Sequence, residues 1–327
     1  MPRRKAISLA ALLAILLAAG AVQMGTGDAL GGFHWPETAQ FMQLRAKRLG
    51  IAATVGGSLA LAGVLLQALL RNPLASPDLL GVTSGAGLGV AIVTVLGGAS
   101  GGAAGPGLET LAALVGSGAT LGVVLAWTVR RGGIDVVSLV LVGVIVGMTC
   151  SGATLLLHQM LPDGGAAARA WFLGSLNENA PPGLVLAGGA ALLGCLALAL
   201  ASARAMDAAC LAEDEARSLG VRLARLRLLL FSAAGILTTI SVVLAGPIGF
   251  VGLVIPHAVR LLMGPHHGPL ALGATLAGAA TVVGADAAIS AFLLPGYRRM
   301  PLGVITAVLG GPLFLLLLRS MLRRTSL

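Results

Sequence analysis

Apolar runs of about 20 residues, long enough for a helix to cross a bilayer, recur from one end of this chain to the other. They fall at 6–24, 49–70, 81–98, 108–129, 136–157, 184–203, 226–245, 249–263, 270–294 and 302–320. In lipid the backbone must satisfy its own polar groups, which a helix does within one segment. The expected fold is therefore all-α: a polytopic membrane protein of about ten transmembrane helices, forming one domain over residues 1–327. Composition agrees. The chain is 57% hydrophobic and 10% charged, with a mean hydropathy of +0.97, whereas a soluble domain carries about 25% charged residues. Its 48 glycines suit helices that pack closely in lipid.

The net charge of +9 does not point to nucleic acid, because no soluble basic domain is present to bind it. In a membrane protein basic residues report orientation first. Ten spans with the basic N-terminus inside place fifteen of the 21 Lys and Arg residues on the inner side and six outside. Both termini are then expected in the cytoplasm. The outer six include two tight clusters, Arg45-Ala-Lys47-Arg48 and Arg298-Arg299. They read either as interfacial side chains that snorkel to the membrane surface or as a basic rim for an acidic partner. Cys150, Cys195 and Cys210 lie in or beside apolar runs without metal-type spacing, so neither a disulfide framework nor a metal site is expected. Arg3-Arg4-Lys5 and the apolar run to Val22 have the form of a secretory signal, and Ala18-Ala19-Gly20 offers small residues for cleavage. A retained first helix is the expectation, because everything downstream is membrane as well.

The stretch from Ser241 to Leu262 is almost wholly apolar, yet carries Gly246, Pro247, Gly249, Gly252 and Pro256. Breakers at that density predict a broken membrane helix, tolerated where neighbouring protein re-satisfies the freed backbone. Ser58–Gly63 and Ser241–Gly246 share S-x-x-L-A-G, a short trace of an inverted repeat. Before the broken stretch lies the most polar segment, Asp207 to Arg227. In it Glu213, Asp214 and Glu215 precede Arg217, and Gly220 is placed to stop a short helix. It reads as a solvated surface helix or as a coupling element gripped by a cytoplasmic motor, with Leu211 and Leu219 turned to the membrane body. Asn72-Pro-Leu-Ala-Ser-Pro-Asp78 is a compact turn with Ser76 as a potential N-cap. The following Gly81–Gly87 run lacks the Lys and the βαβ context of a phosphate loop, so close packing is expected there and no nucleotide cofactor.

Asp286 lies within the ninth span, where an ionisable residue signals function or a structural tie. Thr149, Cys150, Ser151 and Thr154 form a polar patch in the fifth span, to line a path or to bond back to their own helix. The His266-His267 pair has no carboxylate near it in sequence. No Ser/His/Asp or paired-carboxylate arrangement occurs at helical spacing.

Several segments, in order along nearly the whole chain, resemble the iron–siderophore, haem and vitamin B12 permeases of ABC importers. They are Arg48-Leu49 leading into L-A-L-A-G-V-L-L-Q-A-L-L-R-N-P-L-A-S-P-D-L-L-G-V-T-S-G-A, Trp171-Phe-Leu-Gly-Ser175, Glu213-x-x-Ala216-Arg-Ser-Leu-Gly220, Ala245-Gly-Pro-Ile-Gly-Phe-Val-Gly-Leu-Val-Ile-Pro-His257, and Pro301-Leu-Gly-Val-Ile-Thr306 with Gly310-Gly-Pro312. The resemblance implies a non-enzymatic permease in the bacterial inner membrane. Its partners would be a second permease subunit, two cytoplasmic ATP-binding subunits, an external substrate-binding protein and membrane lipid.

By the same resemblance, Glu213, Glu215, Ala216, Arg217, Ser218, Leu219 and Gly220, within a cytoplasmic loop of about 204–225, would couple to the ATPase. Arg45, Arg48, Arg298 and Arg299 would dock the binding protein. Thr83, Ser84, Thr149, Ser151, Thr154, Gly246, Pro247 and Pro256 would line or gate the path. Ala212 departs from a usual Gly, Ser76 from a common Asp, and Met300 from an acidic residue. The competing expectations are a stand-alone secondary transporter or channel using Asp286, and a membrane-embedded enzyme. The latter would need a cluster of ionisable groups that the spans hardly offer.

Overall fold

The computed structural model describes residues 3–26, 35–36, 38–99, 105–130, 133–160, 172–291 and 300–325. Among these, seven helices are long and apolar enough to cross a membrane, and three shorter apolar helices join them. In chain order the helices are α1 (Arg3–Gly25), α2 (Ala39–Leu70), α3 (Val82–Ala99), α4 (Pro106–Thr128), α5 (Val136–Gln159), α6 (Pro182–Ala201), α7 (Ala203–Ala209), α8 (Glu213–Ser218), α9 (Leu223–Ala245), α10 (Val251–Met263), α11 (His267–Ala291) and α12 (Leu302–Thr325). A two-residue antiparallel ladder, β1 (Val129–Arg130) with β2 (Gly133–Ile134), closes the turn between α4 and α5. The ten expected spans are thus present. The short amphipathic pieces α7 and α8 sit on the loop between the sixth and seventh.

Helix α2 is the hub. From Ile51 to Leu69 nearly every residue is buried, and it packs against α11, α9, α10 and α6. Its Leu61, Leu65 and Leu66 share one core with Phe231, Leu237 and Leu270. Small residues make this possible. A Cβ added to Gly56 would lie 2.2 Å from the Gly278 carbonyl oxygen, and one on Gly63 would lie 1.8 Å from that of Gly252. Backbone meets backbone at both crossings, which is how membrane helices gain dispersion contact where lipid supplies no hydrophobic drive. Gly85 and Gly89 of α3 meet Gly116 and Ala112 of α4 in the same way, so the glycine run after the Asn72–Asp78 turn serves packing. By contrast, Met148 and Leu156 of α5 and Leu186 of α6 are exposed on the outside of the bundle.

Three expectations change. The second span begins at Ala39 rather than at residue 49, so Arg45, Lys47 and Arg48 lie inside a helix. Hydropathy ends at these charges, but the helix continues because their heads find partners and the Thr38 hydroxyl caps its start, accepting from the Phe41 amide at 3.4 Å. The eighth span is broken only between Ala245 and Val251. Gly246 (φ +64°) and Phe250 (φ +65°) carry the turn, whereas Pro256 stays inside α10. A helical Pro frees the carbonyl four residues back; here that is Gly252, whose carbonyl faces Gly63 at the close crossing with α2. Ser76 stands at the N-cap of a 3₁₀ turn, Pro77–Leu80, without a side-chain capping bond. The turn before it is held by the Asn72 side chain, which accepts from the Leu74 amide at 2.9 Å.

Candidate functional site

One helix face of α5 presents Ser151, Thr154, Leu155 and His158 to a cavity of about 570 Å³, completed by Thr83, Ser84, Phe172, Leu173 and Pro247. Residues 151, 154 and 158 share a face because three- and four-residue steps return to it. No lining residue carries a formal charge at neutral His. Ser151 donates its hydroxyl to that of Ser84 at 3.1 Å, and Thr154 donates to the Cys150 carbonyl at 2.8 Å. His158 donates Nδ1–H to the Thr154 carbonyl at 2.9 Å, because a carbonyl only accepts. Its ring meets that of Phe172 edge-on at 4.9 Å. The cavity brings together Thr83, Ser84, Ser151, Thr154 and Pro247. Thr149 is exposed and bonds back to Ile145, and Gly246 and Pro256 lie outside the lining. Sequence reasoning missed His158 and Phe172. The signal for His158 was present, since it continues the Ser151–Thr154 face by one more turn.

Three separate sequence segments converge at the cavity edge. The Pro247 carbonyl is packed between Gly174 and Gly303: a Cβ on either glycine would approach it to 2.1 and 2.4 Å respectively. The Gly303 amide donates to the Gly174 carbonyl at 3.0 Å. The W-F-L-G-S, A-G-P-I-G-F and P-L-G-V segments thus build one joint, and only glycine fits at two of its three members.

At the end of the bundle bearing α7 and α8, the polar segment folds as a short helix with a Schellman stop. The Val221 amide bonds the Ala216 carbonyl at 3.1 Å and the Gly220 amide bonds Arg217 at 2.9 Å, with Gly220 at φ +81°, the left-handed geometry such a stop needs. Glu213 pairs with Arg217 at 3.3 Å and with Arg227. The hydrogen bond and charge of Arg227 hold the Glu213 carboxyl below its usual range. Ala216 is fully buried and anchors the helix, while Glu215, Arg217, Ser218, Leu219 and Gly220 are exposed. Leu211 and Leu219 are not buried against the membrane body as expected; they are 44% and 64% exposed, and the six-residue helix turns Ala216 inward instead.

A carboxylate also joins the histidine pair, from distant sequence. Asp207 of α7 accepts from the His267 amide at 2.9 Å and from the rings of His267 and His266 at 2.6 and 3.4 Å. It caps α11 and ties the α7–α8 segment to it. Burial raises the Asp207 pKa, but the bonds from His267 outweigh burial and leave it below 3.8. Among the described residues no group of His, Cys, Asp and Glu is arranged to hold a metal.

At the opposite end, Asp286 is fully engaged. Arg48 grips it with two bonds, Nε to Oδ2 at 2.7 Å and Nη2 to Oδ1 at 2.6 Å, and Gln23 of α1 donates to Oδ2 at 2.5 Å. The remaining arm of Arg48 meets Glu178. Arg45 donates to the Met24 carbonyl at 2.6 Å and Lys47 to the Glu178 carbonyl at 2.6 Å. Asp286 is therefore a structural tie joining α1, α2 and α11. Arg298 and Arg299 lie outside the described residues.

Residues 8–320 match the FecCD transport family. The chain belongs to that family. It is 36% identical over 302 residues to the cobalamin import system permease protein BtuC of Halobacterium salinarum, covering 88% of this chain and 76% of that one. It is 35% identical over 332 residues to the hemin transport system permease protein HmuU of Yersinia pestis, covering 96% and 95%. Among solved structures, a chain titled as an inward-facing metal-chelate type ABC transporter superposes with a TM-score of 0.83 at 28% identity, over 96% of this chain and 99% of that one. This FecCD-family chain is accordingly a multi-pass permease of the ABC-importer class and not an enzyme.

Proposed function

We propose that this permease is the membrane subunit of an ATP-driven importer that moves a metal chelate, iron–siderophore or haem, or a corrinoid across the bacterial inner membrane. The observation that carries it is α8: a charged, solvent-facing helix with one buried anchor, held on a loop between two membrane spans. A free-standing transporter has no use for such an element, whereas a motor protein can grip it. In this assembly the α7–α8 end faces the cytoplasm, as do both termini. Two ATP-binding subunits seat on Glu213–Gly220, and a second permease subunit completes the path along the α5 cavity. Exposed apolar residues such as Met148 and Leu186 meet lipid or that second subunit.

An external binding protein docks at the opposite end on Arg45 and Arg48, with Arg298 and Arg299 in the same role. Opposed charge there speeds and orients docking more than it adds affinity. Because Arg48 is committed to Asp286, the arm now on Glu178 is the one a partner carboxylate would take. The joint of Gly174, Pro247 and Gly303 and the turn at Gly246–Phe250 pass motion from α9 to the path. Asp286 does not support the rival of an ion-driven carrier, since a guanidinium and an amide already occupy its oxygens.

The test is to purify the tagged permease with its co-expressed ATPase and to assay hydrolysis in liposomes for wild type and for Arg217→Glu with Gly220→Pro. Proline cannot adopt φ +81°, so the stop of α8 is lost. The expected result is a complex that falls apart or hydrolyses ATP without transport. Uptake that persists with no ATPase bound would overturn the proposal.

A further inference from the structure

We infer that His158 is a transient axial ligand for the metal of a tetrapyrrole cargo, so that the α5 cavity favours planar macrocycles with an exchangeable axial position over chelates whose metal is already saturated. This rests on the importer reading and sharpens its substrate.

The tautomer carries the inference. The Nδ1–H of His158 is spent on the Thr154 carbonyl at 2.9 Å, so in the neutral ring Nε2 holds the lone pair, the form that ligates metals. A backbone acceptor behind the ring is the usual support of a metal-binding histidine, fixing orientation and raising basicity. Phe172, edge-on at 4.9 Å, fixes the ring from another side. His158 shares its cavity with Thr83, Ser84, Ser151 and Thr154, interleaved with Leu155, Leu173 and Pro247.

The cavity chemistry narrows the cargo. Walls of leucine, phenylalanine and proline with a few hydroxyls suit a flat apolar ring with a polar edge. A siderophore complex fills every coordination position of its iron with its own oxygens, leaving nothing for Nε2. Ferric haem and aquocobinamide each leave an axial position that exchangeable water can hold. The step is a ligand exchange: Nε2 donates its lone pair to the metal, one water leaves, and no electron or proton is transferred. Release reverses it.

Ferric protoporphyrin IX and aquocobinamide share this chemistry, so each is titrated separately against the full chain in nanodiscs, with empty nanodiscs as the blank. The expected result for one of the two is a shift of its main absorption band, with nitrogen ligation seen by electron paramagnetic resonance of the ferric haem or by the spectrum of the imidazole-bound cobalt. His158→Ala should lose the shift. His158→Met should replace it with a sulfur-ligated spectrum, which also answers for a His158→Ala protein that fails to fold. His266→Ala, an exposed histidine far along the chain, should change nothing.

The inference falls if neither macrocycle shifts with wild type, if His158→Ala retains the wild-type spectrum, or if His266→Ala removes it. The ATPase pull-down keeps the two readings apart. A permease that binds its ATPase but ligates neither macrocycle loses only the His158 assignment.

Discussion

Replacing Asp286 with Ala tests what a lone acid inside a membrane helix is for. The side chain is 2% exposed and accepts three bonds of 2.5 to 2.7 Å, two from Arg48 and one from Gln23. Removing one partner of a buried ion pair costs about 3–5 kcal/mol, mostly because the other charge is stranded. Arg48 keeps Glu178 and is 15% exposed, so the low end applies, about 3 kcal/mol, or roughly a 100-fold rise in the unfolded fraction at 1.4 kcal/mol per decade. The double change Arg48→Met with Asp286→Leu removes both charges and should recover most of the loss, since apolar replacement of a buried pair is often neutral. Steric trapping in bicelles measures the stabilities, and uptake into liposomes holding the ATPase measures function. The structural role predicts that the double variant regains stability and transports, apart from any docking lost with Arg48; supplying the binding protein at saturating concentration removes that ambiguity. Stability within about 0.5 kcal/mol of wild type for Asp286→Ala, or a stable double variant that cannot transport under those conditions, would refute this reasoning.

Gly63→Ala should destabilise by about 1–3 kcal/mol, the cost of overpacking, because its Cβ would sit 1.8 Å from a backbone oxygen that cannot rotate away. Gly118→Ala, with open space around it, should be neutral or stabilising by up to about 1 kcal/mol from helix propensity; the same unfolding assay compares the two. Ala216→Asp should unseat α8 and abolish ATPase-coupled uptake while the membrane helices keep their circular dichroism, because only the buried anchor of a peripheral helix changes. For Asp207, whose folded pKa lies below its ordinary 3.8, the stabilisation is fully present above that value and disappears as pH falls through the lower folded pKa. The melting-temperature gap between wild type and Asp207→Asn should therefore shrink as pH falls below about 4.

The fold was legible because hydrophobic length is a sum over many residues, and all ten spans emerged from it. Their ends were not, where the sum met charges that the structure neutralises. The start of α2 was set ten residues late because Arg48 reads as an exit from the membrane until Asp286, 238 positions away, supplies its partner. The same ignorance of distant contacts left Asp286 open between function and a structural tie, and made Pro256 look like a break when its freed carbonyl faces Gly63. At the α7–α8 end, the acids, Arg217 and Gly220 gave the helix and its stop. The burial of Ala216 rather than Leu219 depends on how the α8 loop seats on the bundle, which no local pattern encodes. In the cavity the hydroxyls announced themselves, but Phe172 comes from another segment and met the α5 face only on folding.

The glycine crossings of α2 also bear on how a pull at one end reaches the other. Where Gly56 meets Gly278 and Gly63 meets Gly252, main chain rests on main chain, and no flexible side chain lies between them to swing into a new rotamer. Helices α2, α10 and α11 are joined there without play, and they should travel as one plate. The short turn from Gly246 to Phe250 is held in a similar way, with the Pro247 carbonyl between Gly174 and Gly303. A linkage with no slack transmits small displacements faithfully. It also jams if anything larger than hydrogen is placed at its contact points.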